Sequence, residues 1–103
     1  MNLVLYYTTF SKRQEALKIS RILLDEKLIA CANILGTCDS MYFWGGKLCR
    51  DKEVPVFFKT TQKLAAKFKK RFFVLHPYEV PSLVKIKSNQ ENPEYLKWMG
   101  KIS

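Results

Sequence analysis

Apolar and polar positions alternate along this chain with a period that changes several times, and each change predicts an element boundary. The run Leu3-Val4-Leu5-Tyr6-Tyr7 turns polar at Thr8, which predicts a strand over 2–9. From residue 12 the period becomes helical. Ala16, Ile19 and Leu23, flanked by Leu17, Leu24 and Leu28, make a broad apolar stripe over about 12–27. Ser11 with Gln14 has the spacing of a capping box at its start. The helical signal then disappears. Residues 29–35 read as extended, Gly36 interrupts, and Met41-Tyr42-Phe43-Trp44 is rich in strand formers. Gly45-Gly46 is a two-residue hairpin signal, and 47–61 return as the partner strand.

Counting back from the turn pairs Trp44 with Lys47 and Asp39 with Lys52, an opposite-charge pair. The same count sets Gly36 level with Pro55. Neither residue suits a strand interior, so a break or bulge is expected there. Thr60 or Thr61 is placed to cap a second helix over about 62–75, with Leu64, Phe68, Phe72 and Leu75 on its apolar stripe. The segment His76-Pro77-Tyr78-Glu79-Val80-Pro81 is held extended by its two prolines. A strand over 82–88 follows. Asn92-Pro93 then starts a short helix that Gly100 should stop. The order β-α-β-β-α-β with an added C-terminal helix is the ferredoxin-like, split βαβ arrangement, an α+β fold in one domain over 1–103.

Length adds an assembly to this picture. Fifteen residues per strand span about 50 Å, whereas a compact chain of this size is about 33 Å across. The hairpin overshoots its own domain, and its tip carries Tyr42, Phe43 and Trp44. Self-association would cover both the aromatics and the open strand edges. The plainer alternative is a coiled hairpin folded back on its own sheet.

Composition narrows the rest. The formal charge is +9, from 18 basic and 9 acidic residues, a balance that would suit nucleic acid, an anionic membrane or an anionic ligand, but the bases are scattered and no membrane partner is expected. The densest cluster, Lys67-Lys69-Lys70-Arg71, reads first as the solvated face of a helix. Cys31, Cys38 and Cys49 are odd in number, with no CxxC, and read as small apolar strand residues rather than a disulfide framework. The first apolar run is too short for a signal peptide or a membrane span, so a cytoplasmic protein is expected. No nucleophile–base–orienter set, carboxylate pair or phosphate-binding glycine loop stands out, which argues against an enzyme. RNA binding fits the element order and the charge. However, an RNA-recognition strand wants a basic-Gly-aromatic-Gly-aromatic pattern, and residues 50–58 read RDKEVPVFF, with no glycine and a proline instead.

The blocks EKLIACAN at 26–33, YFWGGK at 42–47, Glu53, KTT at 59–61, HPYEVP at 76–81 and YLKW at 95–98 together resemble the CutA family of divalent-cation tolerance proteins. The resemblance implies a ferredoxin-like homotrimer joined by long strands, with a link to tolerance of copper and other divalent metals. It makes His76 the candidate metal ligand. Family members proposed to bind copper can also carry a cysteine at the end of the first strand and a glutamate after the second proline. Those positions are Thr8 and Ser82 here. The alternative is an intersubunit cleft for a small anionic ligand, with Tyr42, Trp44, Lys59, Tyr78 and Glu79 as its aromatic and polar groups. This would resemble the nitrogen-regulatory signalling trimers in fold. The bland reading makes the aromatics interface core and Lys59 an ion-pair partner of Glu53 or Glu79.

Overall fold

The computed structural model describes residues 2–101. The elements are β1 (Leu3–Phe10), α1 (Arg13–Asp25), β2 (Cys31–Ile34), β3 (Cys38–Trp44), β4 (Lys47–Thr61), α2 (Ala65–Leu75), β5 (Val84–Lys87) and α3 (Pro93–Gly100). All pairings are antiparallel, in the order β2-β4-β1-β5, with β3 on β4 beyond β2. This is the ferredoxin-like sheet that the element order predicts.

Alternation along β1 puts Val4, Tyr6, Thr8 and Phe10 toward the helices, where they are buried. Val54, Val56 and Phe58 of β4 join them. Helix α1 adds Ala16, Ile19 and Leu23, and α2 adds Ala65, Phe68 and Phe72. Both helices therefore lie on one face of the sheet. On the other face Tyr7 packs on Phe57, its cross-strand partner, with ring centres 5.2 Å apart.

The hairpin register is as counted. Gly45 and Gly46 both take positive φ, +59° and +78°, as a type I′ turn requires. Lys52 Nζ lies 2.7 Å from Asp39 Oδ1. The break also falls where expected, with one change of detail. Ile34 pairs with Val56 and Cys38 with Glu53, so one extra residue sits on the β2–β3 side while β4 runs through unbroken. Leu35, rather than Gly36, meets Pro55: its N–H donates to the Pro55 carbonyl at 2.9 Å. A strand residue directs its carbonyl and nitrogen to the same side. The missing proline donor thus faces the interrupted ladder, which is how a central strand accommodates it. The Leu35 carbonyl instead accepts from Arg13 Nη2 at 2.6 Å.

Three expected caps differ. Helix α1 starts at Arg13 with Lys12 at the N-cap, one residue later than the capping box needs, and the Ser11 hydroxyl reaches Glu15 Oε1 at 3.1 Å. Strand β4 continues through Thr61, and Thr60 Oγ1 donates to the Leu28 carbonyl at 2.8 Å. Leu64 therefore takes the N-cap place of α2. Gly100 closes α3 as its last residue, with Lys101 at the C-cap. Asn92 does cap α3, accepting from the Glu94 N–H at 3.0 Å. The end of α1 is a Schellman motif built on a lysine. Lys27 is left-handed at φ +59°, and Leu28 N–H returns to the Leu23 carbonyl at 3.0 Å.

The structure measures 46 × 25 × 23 Å; a long axis of that size matches the projecting hairpin. At its tip Phe43 is 74% and Trp44 66% exposed.

Candidate functional site

A cleft of about 760 Å³ lies between the inner face of the hairpin and the extended segment after α2. Alternation on β4 presents Cys49, Asp51 and Glu53 to it. Tyr42 stands directly opposite Cys49 on β3, with Trp44 two residues on. Tyr78, Glu79, Val80 and Ser82 form the far wall, and Thr9 and Ser11 the end of β1. Lys52 is the sole basic group in this lining, and it is paired with Asp39.

Two carboxylates organise the cleft. Glu53 Oε2 accepts from Thr9 Oγ1 at 2.8 Å and from the Tyr78 hydroxyl at 2.7 Å. Burial pushes the Glu53 carboxyl up, but hydrogen bonds from Ser40, Tyr78 and Thr9 together hold it below its usual value. Burial, and then the Glu53 contact, raise the Tyr78 phenol. The Tyr42 hydroxyl donates to Asp51 Oδ2, and that bond is the main reason its phenol is pushed up to about 12. Both tyrosines thus stay protonated and Glu53 stays charged.

His76 stands behind this wall and is 6% exposed. Its ring stacks on Phe10 at 4.4 Å and meets Phe72 at 5.2 Å and Tyr78 at 4.7 Å. Nδ1 accepts from the Tyr78 N–H at 3.1 Å, which leaves Nε2–H to donate to the Thr9 carbonyl at 2.8 Å. Both ring nitrogens are therefore engaged, and a metal ion would have to displace one of these bonds. Positions 8 and 82 do come together, but as a hydroxyl and a backbone: Thr8 Oγ1 donates to the Ser82 carbonyl at 2.7 Å. Among the described residues, no three His, Cys, Asp or Glu side chains are grouped to hold a metal.

Of the residues singled out by sequence, Tyr42, Trp44, Tyr78 and Glu79 share the cleft. Lys59 does not. It lies on the same face of β4 as Glu53 but six residues away, about 20 Å along the strand, with Nζ 5.3 Å from the Tyr95 ring centre of α3. Nor does it pair with Glu53 or Glu79 among the described ion pairs. Thr9, Ser11, Asp51 and the cleft-facing role of Glu53 were not singled out. Extending the counted register would have found Asp51 and Glu53, which alternate with Cys49 opposite Tyr42. The three cysteines are half-buried and free.

The pH response of the fold follows from these groups. Burial, outweighing the pull of the Thr9 carbonyl, lowers the His76 pKa below 6.5. The unfolded chain then binds the extra proton first, so this stability is present above 6.5 and is lost as pH falls through the lower folded value. Glu53, held below 4.5, contributes stability above 4.5 that is lost further into acid. Urea unfolding across pH should show two successive losses, and His76→Gln should remove the first. A wild-type profile flat between about pH 7 and 5 would contradict this account.

Among the described residues no helix is long and apolar enough to cross a membrane. The profile of the CutA1 divalent ion tolerance protein matches residues 4–101. The divalent-cation tolerance protein CutA of Pyrococcus horikoshii is 42% identical over 97 residues, 94% of each chain. The crystal structure of the divalent ion tolerance protein CutA1 from Ehrlichia chaffeensis superposes with a TM-score of 0.93 at 34% identity, covering 98% of this chain and 94% of that one. The structure of the periplasmic divalent cation tolerance protein CutA from Archaeoglobus fulgidus gives a TM-score of 0.91 at 28% identity over 97% of each chain. Profile, sequence and backbone agree over nearly the whole length, and this chain belongs to the CutA1 divalent ion tolerance family.

Proposed function

We propose that the protein is a non-enzymatic, cytoplasmic homotrimer that supports tolerance of divalent cations, copper among them, by holding a cation where one protomer's hairpin cleft meets the next. The observation that carries this reading is the charge of the cleft. Asp51, Glu53 and Glu79 line it against the paired Lys52, on a chain whose net charge is +9. A cation is drawn to that one acidic recess and repelled by most of the remaining surface. The exposed Phe43 and Trp44 beside it support burial by a second copy, which would bring further donors to complete a coordination shell that one protomer lacks. A cytoplasmic location is favoured by three free cysteines. A small organic ligand is the second reading, because about 760 Å³ is more than a bare ion needs. An anionic ligand is less well served, since Lys59 is on Tyr95 and Lys52 on Asp39.

Sedimentation at micromolar concentration should give three times the 12.1 kDa chain mass, and Phe43→Ser with Trp44→Ser should shift it toward the monomer. Calorimetric titration with copper(II) should be saturable and weakened about tenfold by Asp51→Asn with Glu79→Gln. A wild-type monomer would sink the assembly, and the absence of saturable heat would sink the cation site.

A further inference from the structure

The helical side of the molecule carries a charge that the cleft and the sheet do not use. Over 11–27 and 62–76, the two helices with their flanks, ten basic residues stand against three acidic ones, a net +7 of the chain's +9. Two of those three acids are already neutralised, Asp25 by Arg21 at 3.1 Å and Glu26 by Arg71 at 2.8 Å. Residues 62–76 contain Lys63, Lys67, Lys69, Lys70 and Arg71 and no acid at all. Among the described ion pairs only Arg71 of this group has a partner.

Placement makes this more than composition. The inner stripe of α2 is Ala65, Phe68 and Phe72, all buried. Lys67, Lys70 and Val74 follow at helical spacing on the opposite stripe, and all are exposed. Phe73 and Val74, 49% and 70% exposed, continue the basic stripe as an apolar end. The arrangement also works against the helix itself. Lys67 sits in the first turn, where the helix dipole disfavours a cation, and Lys67 repels Lys70 and Arg71 at i+3 and i+4. Such a charge pattern is relieved by an external anion.

From this we infer that the outer face of α2 docks on an anionic phospholipid bilayer, lysines on the headgroups and Phe73 and Val74 in the interface. The lipid surface is favoured over a nucleic acid because the stripe ends in exposed apolar side chains, which a phosphate backbone does not cover. Its residues are on the outer face of the helix layer and none of them lines the cleft, so it stands apart from the cation reading.

The test is co-sedimentation of the intact protein with vesicles. Phosphatidylglycerol–phosphatidylcholine vesicles should bind at least about tenfold more protein than phosphatidylcholine alone, and salt of about 0.5 M should release it. Lys67→Glu with Lys70→Glu should lose at least about tenfold. Phe73→Ser with Val74→Ser should lose about fivefold while keeping the salt dependence. Lys97→Glu with Lys101→Glu makes the same charge change on the exposed side of α3 and its C-cap, and should retain binding. Thermal melting confirms that each variant is folded. Equal binding to neutral vesicles, equal loss in the α3 variant, no effect of the α2 variants, or tighter capture by duplex RNA that strips the protein from vesicles would each overturn the inference.

Discussion

His76→Ala is expected to lower the unfolding free energy by about 3–5 kcal/mol. The ring fills a buried slot between Phe10, Phe72 and Tyr78, so truncation leaves a cavity of aromatic size. It also strands two backbone groups, the Thr9 carbonyl and the Tyr78 N–H, that the imidazole now satisfies together. His76→Gln can restore a donor to Thr9 but no stacked ring, and should lose about half as much. Urea unfolding in the absence of metal decides the matter. A loss below about 1 kcal/mol, or one that appears only when copper is present, would mean that the residue serves a ligand rather than the fold.

Phe68→Ala is the second large effect, again about 3–5 kcal/mol. Phe68 is fully buried and is the hub of the aromatic core: its ring lies 4.8 Å from Tyr6, 5.4 Å from Phe58 and 6.0 Å from Phe72. Those neighbours come from β1, β4 and α2, so the void cannot close by the movement of one element alone. Phe73→Ala, on the outer side of the same helix, should cost less than about 1 kcal/mol. Similar melting temperatures for the two variants would show that α2 is oriented differently from the structure described above.

How much of this was legible depended on whether the signal was local. A two-glycine turn fixes the register of everything on either side of it, so the Asp39–Lys52 pair and the break near Pro55 followed from counting alone. Apolar periodicity likewise identified α1, α2 and their buried stripes. The caps of α1 and α2 failed because a cap's place depends on where the preceding strand ends. The chain enters α1 after Lys12 and holds β4 straight through Thr61, and sheet pairing decides both. Lys59 was grouped with the cleft because no local pattern reveals distance along a strand; the projection of β4 separates it from Glu53. The role of His76 was the least legible. A lone histidine before a proline gives no hint that backbone atoms from β1 and from its own turn will occupy both nitrogens.

The interruption at Leu35 has a mechanical consequence for the projecting arm. One edge of the arm is β4, continuous from tip to core, while the opposite edge is severed at 35–37. A beam cut on one side flexes about the cut. The arm is therefore stiff along its length and jointed in a single direction. Across that joint Arg13, the first residue of α1, holds the Leu35 carbonyl. The joint is thus braced by a guanidinium on a helix beside the unbroken β4, and neutralising that one side chain removes a brace without touching a strand.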